Sequence, residues 1–106
     1  MTLEEAIAIT RPHEPVALLI ADAADWPEAL KAALQVSIRR MATMTTAEKI
    51  AHLRLFARNL NARFEAADAG DEAALAAMKR DGVSAFALAI AADCAERAAI
   101  ELEEQR

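Results

Sequence analysis

The strongest constraint on the fold is a set of apolar residues that recur every three or four positions in the middle of the chain. They are Ile50, Leu53, Ala57, Leu60, Phe64 and Ala67. This spacing places the side chains on one face of an α-helix. Thr45 and Glu48 form a capping-box pattern at its start. The pattern predicts a helix over 46–69, about 36 Å long at about 1.5 Å per residue.

The composition extends this helical prediction to the whole chain. Alanine supplies 29 of the 106 residues, and the only glycines are Gly70 and Gly82. Alanine has the highest intrinsic helix propensity and loses no side-chain entropy in a helix. We therefore predict an all-α fold, a compact bundle of five to six helices with one long central helix, in a single helical domain over 1–106.

Capping residues, prolines and glycines predict the other helices. In chain order, these are a short helix over 3–9 opened by Thr2 and Glu5, a short buried helix over 16–21, a helix capped by Asp25 that reaches Met41, an alanine-rich helix between Asp71 and Gly82, and a last helix capped by Ser84. The apolar stripe of the last helix predicts which of its residues face the core: Phe86, Ile90, Cys94, Ala98 and Leu102.

The charges divide the chain into a basic segment and an acidic remainder. Residues 36–64 hold six of the 12 basic residues and one acid, which gives +5, and the rest carries −10 because the whole chain carries −5. We call the six the basic belt: Arg39, Arg40, Lys49, Arg54, Arg58 and Arg63. Such a charge pattern favours association with a charged partner but supplies no catalysis.

A protein partner is the function that we predict from this pattern. The basic belt together with Leu55, which lies beside the apolar stripe of the long helix, forms the predicted partner-binding surface. The chain would act as a non-catalytic adaptor or inhibitor. Phage-type inhibitors of host defence complexes, such as anti-CRISPR proteins, are an example prompted only by small size and the lack of catalytic motifs. A homodimer with the long helices at its centre is the simplest partner arrangement.

A nucleic-acid-associated regulator that uses the basic belt of residues 39–63 is an alternative, because arginines neutralise phosphates. A sequence pI near 5.0 argues against it, as does the absence of a glycine-containing turn of the helix-turn-helix type between helices of suitable length. The alternative interpretation of the belt is that its arginines pair with the acidic helices of the same chain.

Motifs for catalysis, metals or cofactors are absent from the sequence, and we predict neither a cofactor nor a metal site. A small helical enzyme with a site near Glu48 and His52, four positions apart on one helix, remains the second alternative. Cys94 and Trp26 are expected to pack in the core. His13, between two prolines, is expected to lie in a rigid connection between helices.

The sequence also bears on where the protein resides. Cys94 is the only cysteine, so an intramolecular disulfide is excluded and a cytoplasmic location is expected. No run of apolar residues is close to the length of about 20 residues that a membrane-spanning helix needs. The acidic N-terminus does not resemble a signal peptide.

Overall fold

Five α-helices make up residues 15–105, the part of the chain that the computed structural model describes. In chain order they are α1 (Pro15–Asp22), α2 (Glu28–Met41), α3 (Thr46–Asp68), α4 (Glu72–Asp81) and α5 (Ala85–Glu104), with a 3₁₀ turn at Ala23–Asp25. No β-strand occurs in this range. The predicted all-α bundle is confirmed. The predicted helix over 3–9 and the segment around His13 lie outside the described residues.

The long helix α3 begins where its capping residues predict. The Thr45 amide donates a hydrogen bond to Glu48 Oε1 over 3.1 Å, and the Glu48 amide donates to Thr45 Oγ1 over 3.2 Å. Asp68 ends the helix, and Gly70 follows with φ +83°, a left-handed conformation that favours glycine. The 23 residues span about 35 Å, against a longest dimension of 40 Å for the molecule. Therefore α3 is the central helix.

Helices α4 and α5 are also capped as predicted. Asp71 accepts a hydrogen bond from the Ala74 amide at the start of α4, and Ser84 accepts one from the Ala87 amide at the start of α5. Gly82 ends α4 at φ +67°. These caps use neighbouring residues only, so the sequence reveals them.

The predicted cap of α2 is wrong. Asp25 is the last residue of the 3₁₀ turn, and Pro27 occupies the N-cap without a side-chain hydrogen bond. The chain tightens after α1 and then extends at Trp26, so the carboxylate lies too early to cap the helix. The predicted end at Met41 is confirmed. Trp26, which was predicted to pack in the core, is buried together with Leu30, Leu34 and Met41 of α2.

The core lies mainly between α3 and α5, which make the most extensive contact in the fold. Helix α5 contributes small buried residues: Ala91, Ala92, Ala95, Ala98 and Ala99. Side chains of this size let two helix backbones approach closely. Helix α1 packs on α5 as well, with Leu19 and Ile20 buried. None of the helices within 15–105 has the length and apolar character that crossing a bilayer requires.

The predicted core face of α5 is partly wrong. Phe86 is 74% exposed and Ile90 is 40% exposed, whereas Leu88, Ala91 and Ala95 are buried. Cys94 and Ala98 are buried as predicted, and Leu102 packs against the core from its edge. The helix turns its alanines inward because small side chains allow closer packing, and this leaves three of its large apolar residues, Phe86, Ile90 and Ile100, on the outside.

Candidate protein-binding surface

The residues of the basic belt lie on two helices and differ in exposure. Arg39 and Arg40 occupy the exposed last turn of α2, where their charges favour the negative end of the helix. The other four lie along α3, with Arg58 exposed and Lys49, Arg54 and Arg63 half-buried. The belt is therefore a set of residues with different surroundings rather than one uniformly open surface.

Two arginines of the belt are engaged within the chain. Arg54 forms an ion pair with Glu103 in the last turn of α5. Arg63 Nη2 lies 3.9 Å from Asp81 Oδ2 at the end of α4, and Arg80 Nε contacts the other oxygen of the same carboxylate at 3.2 Å. The interpretation of the belt as internal ion pairs thus applies to Arg54 and Arg63. Arg39, Arg40, Lys49 and Arg58 form no ion pair with any residue between 15 and 105.

An exposed face of α3 lies opposite its core face. We call it the outer α3 face, and its residues are Ala51, Leu55, Arg58, Asn59 and Ala62. Leu55 is 52% exposed, and Arg58 lies one turn further along the helix. Phe56, the next residue in the chain, is partly buried and packs against the core. The open apolar surface of α3 therefore centres on Leu55.

A second exposed face, not predicted from the sequence, lies on α5. We call it the outer α5 face, and its residues are Phe86, Ile90, Asp93, Arg97, Ile100 and Glu104. Three of them are large and apolar, and Arg97 Nη2 pairs with Asp93 Oδ2 at 2.5 Å. The sequence signal that would have identified this face is a second apolar stripe on α5, which consists of alanines. A helix with two apolar stripes buries the one that allows closer packing and leaves the other exposed.

Glu48 and His52 have different surroundings, and none of the side-chain hydrogen bonds within residues 15–105 joins them. The Glu48 carboxylate accepts the capping hydrogen bond from the Thr45 amide, which lowers the pKa of Glu48. His52 Nε2 is buried and has no hydrogen-bond partner within the described part of the chain. Among residues 15–105, no group of three or more potential metal ligands is close enough to hold a metal ion.

The remaining candidate residues belong to the core, as predicted. The thiol of Cys94 is buried, and this burial raises its pKa, with the negative charge of Asp22 adding to the effect. Trp26 is buried too, and its Nε1 finds no hydrogen-bond partner within residues 15–105. Both side chains are part of the hydrophobic core.

Comparisons of this chain with protein-family models, with curated proteins and with solved structures gave no match in any of the three.

Proposed function

We propose that this protein is a non-catalytic protein-binding module, an adaptor or an inhibitor, that binds its partner through the outer α3 face. The observation that supports this proposal is the exposure of Leu55, 52% open to solvent on the side of the central helix that faces away from the core. Covering a large apolar side chain in this position with another protein removes apolar surface from water, which lowers the free energy of the complex.

The neighbours of Leu55 make this face suitable for burial in an interface. Ala51 and Ala62 are small, and Arg58 is the charged residue between them, while Glu48 and Glu65 lie on the same side of α3 towards its two ends. A partner that covers only the stretch from Ala51 to Ala62 therefore removes few charged groups from water. Arginine is enriched at interfaces because its guanidinium forms paired hydrogen bonds with a carboxylate. We infer a partner that offers an apolar cleft with an Asp or Glu at its edge.

Arg39, Arg40 and Lys49 complete the proposed surface through longer-range electrostatics. They carry positive charge on α2 and the start of α3, while Arg54 and Arg63 are already paired with carboxylates of the same chain. Charges at the rim of an interface mainly raise the association rate and make it sensitive to salt. They would therefore steer an acidic partner towards the outer α3 face.

A photo-crosslinking amino acid at position 55 tests the proposal in the native host. The cross-linked protein is identified, purified and titrated with the wild type, Leu55→Ser and Arg58→Glu. We expect each substitution to weaken binding by about tenfold or more, which corresponds to about 1.4 kcal/mol. Leu75→Ser and Lys79→Glu, at exposed positions of α4, are matched controls that should bind normally.

Three results would contradict the proposal. One is the absence of any cross-linked protein from position 55, and another is a partner that binds the Leu55→Ser and control variants equally well. The third is cross-linking to nucleic acid, with binding that falls steeply as salt is raised, which would favour the nucleic-acid alternative.

A further inference from the structure

The outer α5 face is an exposed stripe that runs the length of the helix, and it is the candidate seam for pairing with another helix. Its six positions follow one another at alternating spacings of four and three residues, and all six are exposed. The average spacing is about 3.6 residues, the repeat of a straight α-helix, so the six side chains form one continuous stripe along α5. The apolar members, Phe86, Ile90 and Ile100, lie towards its two ends, and the Asp93–Arg97 ion pair lies between them.

We propose that the outer α5 face binds the same face of a second copy of this chain, with the two α5 helices antiparallel about a two-fold axis. The axis passes between Asp93 and Arg97. Ile90 then meets the partner's Ile100, and Ile100 meets the partner's Ile90. Contacts of this kind, in which residue i meets residue j and j meets i, define a closed two-fold interface.

Charge complementarity is the reason to choose a second copy as the occupant. Within one chain, Arg97 Nη2 already lies 2.5 Å from Asp93 Oδ2. The same symmetry that pairs the isoleucines places Asp93 opposite the partner's Arg97 and Arg97 opposite the partner's Asp93. Each charge then has an opposite charge in both chains, so the centre of the seam is self-complementary.

The distribution of acids along α5 selects the antiparallel direction. Its first eight residues, 85–92, carry no charge, whereas Glu96, Glu101, Glu103 and Glu104 lie in its second half. A parallel pair would bring the two acidic halves together. An antiparallel pair places each acidic end beside the uncharged first half of the partner's α5, near the positive end of that helix dipole.

Charge-swap variants test the pairing directly. Arg97→Asp leaves two acids at the centre of the seam, and Asp93→Arg leaves two basic residues there. We expect sedimentation equilibrium to show a reversible wild-type dimer. For each variant alone, the dimer dissociation constant should rise by about tenfold or more. An equimolar mixture of the two variants should recover the dimer, because opposite charges then face each other.

Apolar substitutions and cross-links test the surface and its direction. Ile90→Ser or Ile100→Ser should weaken the dimer, whereas the exposed Leu75→Ser on α4 should not. In a Cys94→Ala background, Ile90→Cys mixed with Ile100→Cys should form a disulfide between chains under mild oxidation, and neither should do so alone. Far-ultraviolet circular dichroism checks that each variant stays folded.

The proposal is overturned by a wild type that is monomeric from micromolar to millimolar concentration, by charge-swap variants that dimerise as the wild type does, or by Ile90→Cys that cross-links to itself. It stands apart from the proposed function of the outer α3 face. Leu55→Ser and Arg58→Glu should dimerise normally, and Ile90→Ser should retain the hetero-partner, so either proposal can fail without the other.

Discussion

Arg54 on the central helix forms an ion pair with Glu103 in the last turn of α5, 49 positions further along the chain. The contact joins the first half of α3 to the end of α5, as expected for two helices that run antiparallel. The ion pair also distinguishes Arg54 from Arg58, which lies one turn further on α3 and has no ion-pair partner among the described residues. Two arginines that lie four positions apart on the same helix therefore have different surroundings.

Charge reversal should separate these two roles. Arg54→Glu places a carboxylate beside Glu103 and should lower the free energy of unfolding by about 1 kcal/mol at low salt, because the pair is partly exposed and attraction is replaced by repulsion. Arg58→Glu should change stability by less than about 0.5 kcal/mol. Urea unfolding at low and high salt measures both. Equal losses for the two variants would show that Arg58 is paired as well.

Truncations on α3 should depend on the face. Leu53 is fully buried and Leu55 is half exposed on the same helix. Leu53→Ala should cost about 2 to 5 kcal/mol, because it removes buried apolar surface and leaves a cavity. Leu55→Ala should cost less than about 0.5 kcal/mol in the monomer. Thermal and urea unfolding of the isolated protein compare them. A large cost at Leu55 would mean that the outer α3 face is not open.

Enlarging an alanine on α5 should destabilise the fold. Ala95 is completely buried on the face that packs inward. Ala95→Leu should cost about 1 to 3 kcal/mol, because the added carbons force α5 away from its neighbours. Ala76→Leu, at an exposed position of α4, controls for the change in composition and should be nearly neutral. A neutral Ala95→Leu would indicate that the helices do not approach closely there.

The capping box should make stability depend on pH. The hydrogen bond from the Thr45 amide holds the pKa of Glu48 below its ordinary value in the folded protein. As the pH falls, Glu48 therefore binds a proton in the unfolded chain before it does so in the folded protein. The stabilisation from the hydrogen bond is full above the ordinary glutamate pKa of about 4.3. It is lost as the pH falls through the lower pKa that Glu48 has in the folded protein. Below that ordinary value, wild-type stability should fall more steeply with pH than that of Glu48→Gln.

A matched variant isolates this effect from the loss of a negative charge. Glu65→Gln removes an exposed carboxylate from the same helix without touching the cap. Its pH profile, measured by urea unfolding at a series of pH values, should keep the wild-type slope. A Glu48→Gln profile that follows the wild type throughout would show that the capping hydrogen bond does not stabilise the folded state.

Local signals were enough to predict most of the helix boundaries between residues 15 and 105. Thr45 with Glu48, Gly70, Asp71, Gly82 and Ser84 all act on backbone groups only a few residues away, so their identity and spacing suffice. Asp25 is the exception, because whether it caps α2 depends on how tightly the chain turns after α1. Trp26, at the end of that turn, is buried in the core.

The exposed surfaces depended on tertiary structure to different degrees. The sequence was enough to predict that Leu55 and Arg58 lie on the outer α3 face. The apolar stripe of α3 is narrow, so only one side of the helix can face the core. On α5, apolar residues occur on more than one side, and periodicity alone selected Phe86 and Ile90 for the core. The structure buries Ala91 and Ala95 instead, because close contact with α3 favours small side chains.

The sequence by itself thus determined that residues 15–105 are helical, where most of their helices begin and end, and which side of α3 faces inward, because these properties follow from neighbouring residues and from an unambiguous repeat. Only the tertiary structure decided that Arg54 and Arg63 pair with acids far along the chain, and that Phe86, Ile90 and Ile100 lie outside. Both outcomes depend on the distance and rotation between packed helices, which no local pattern specifies.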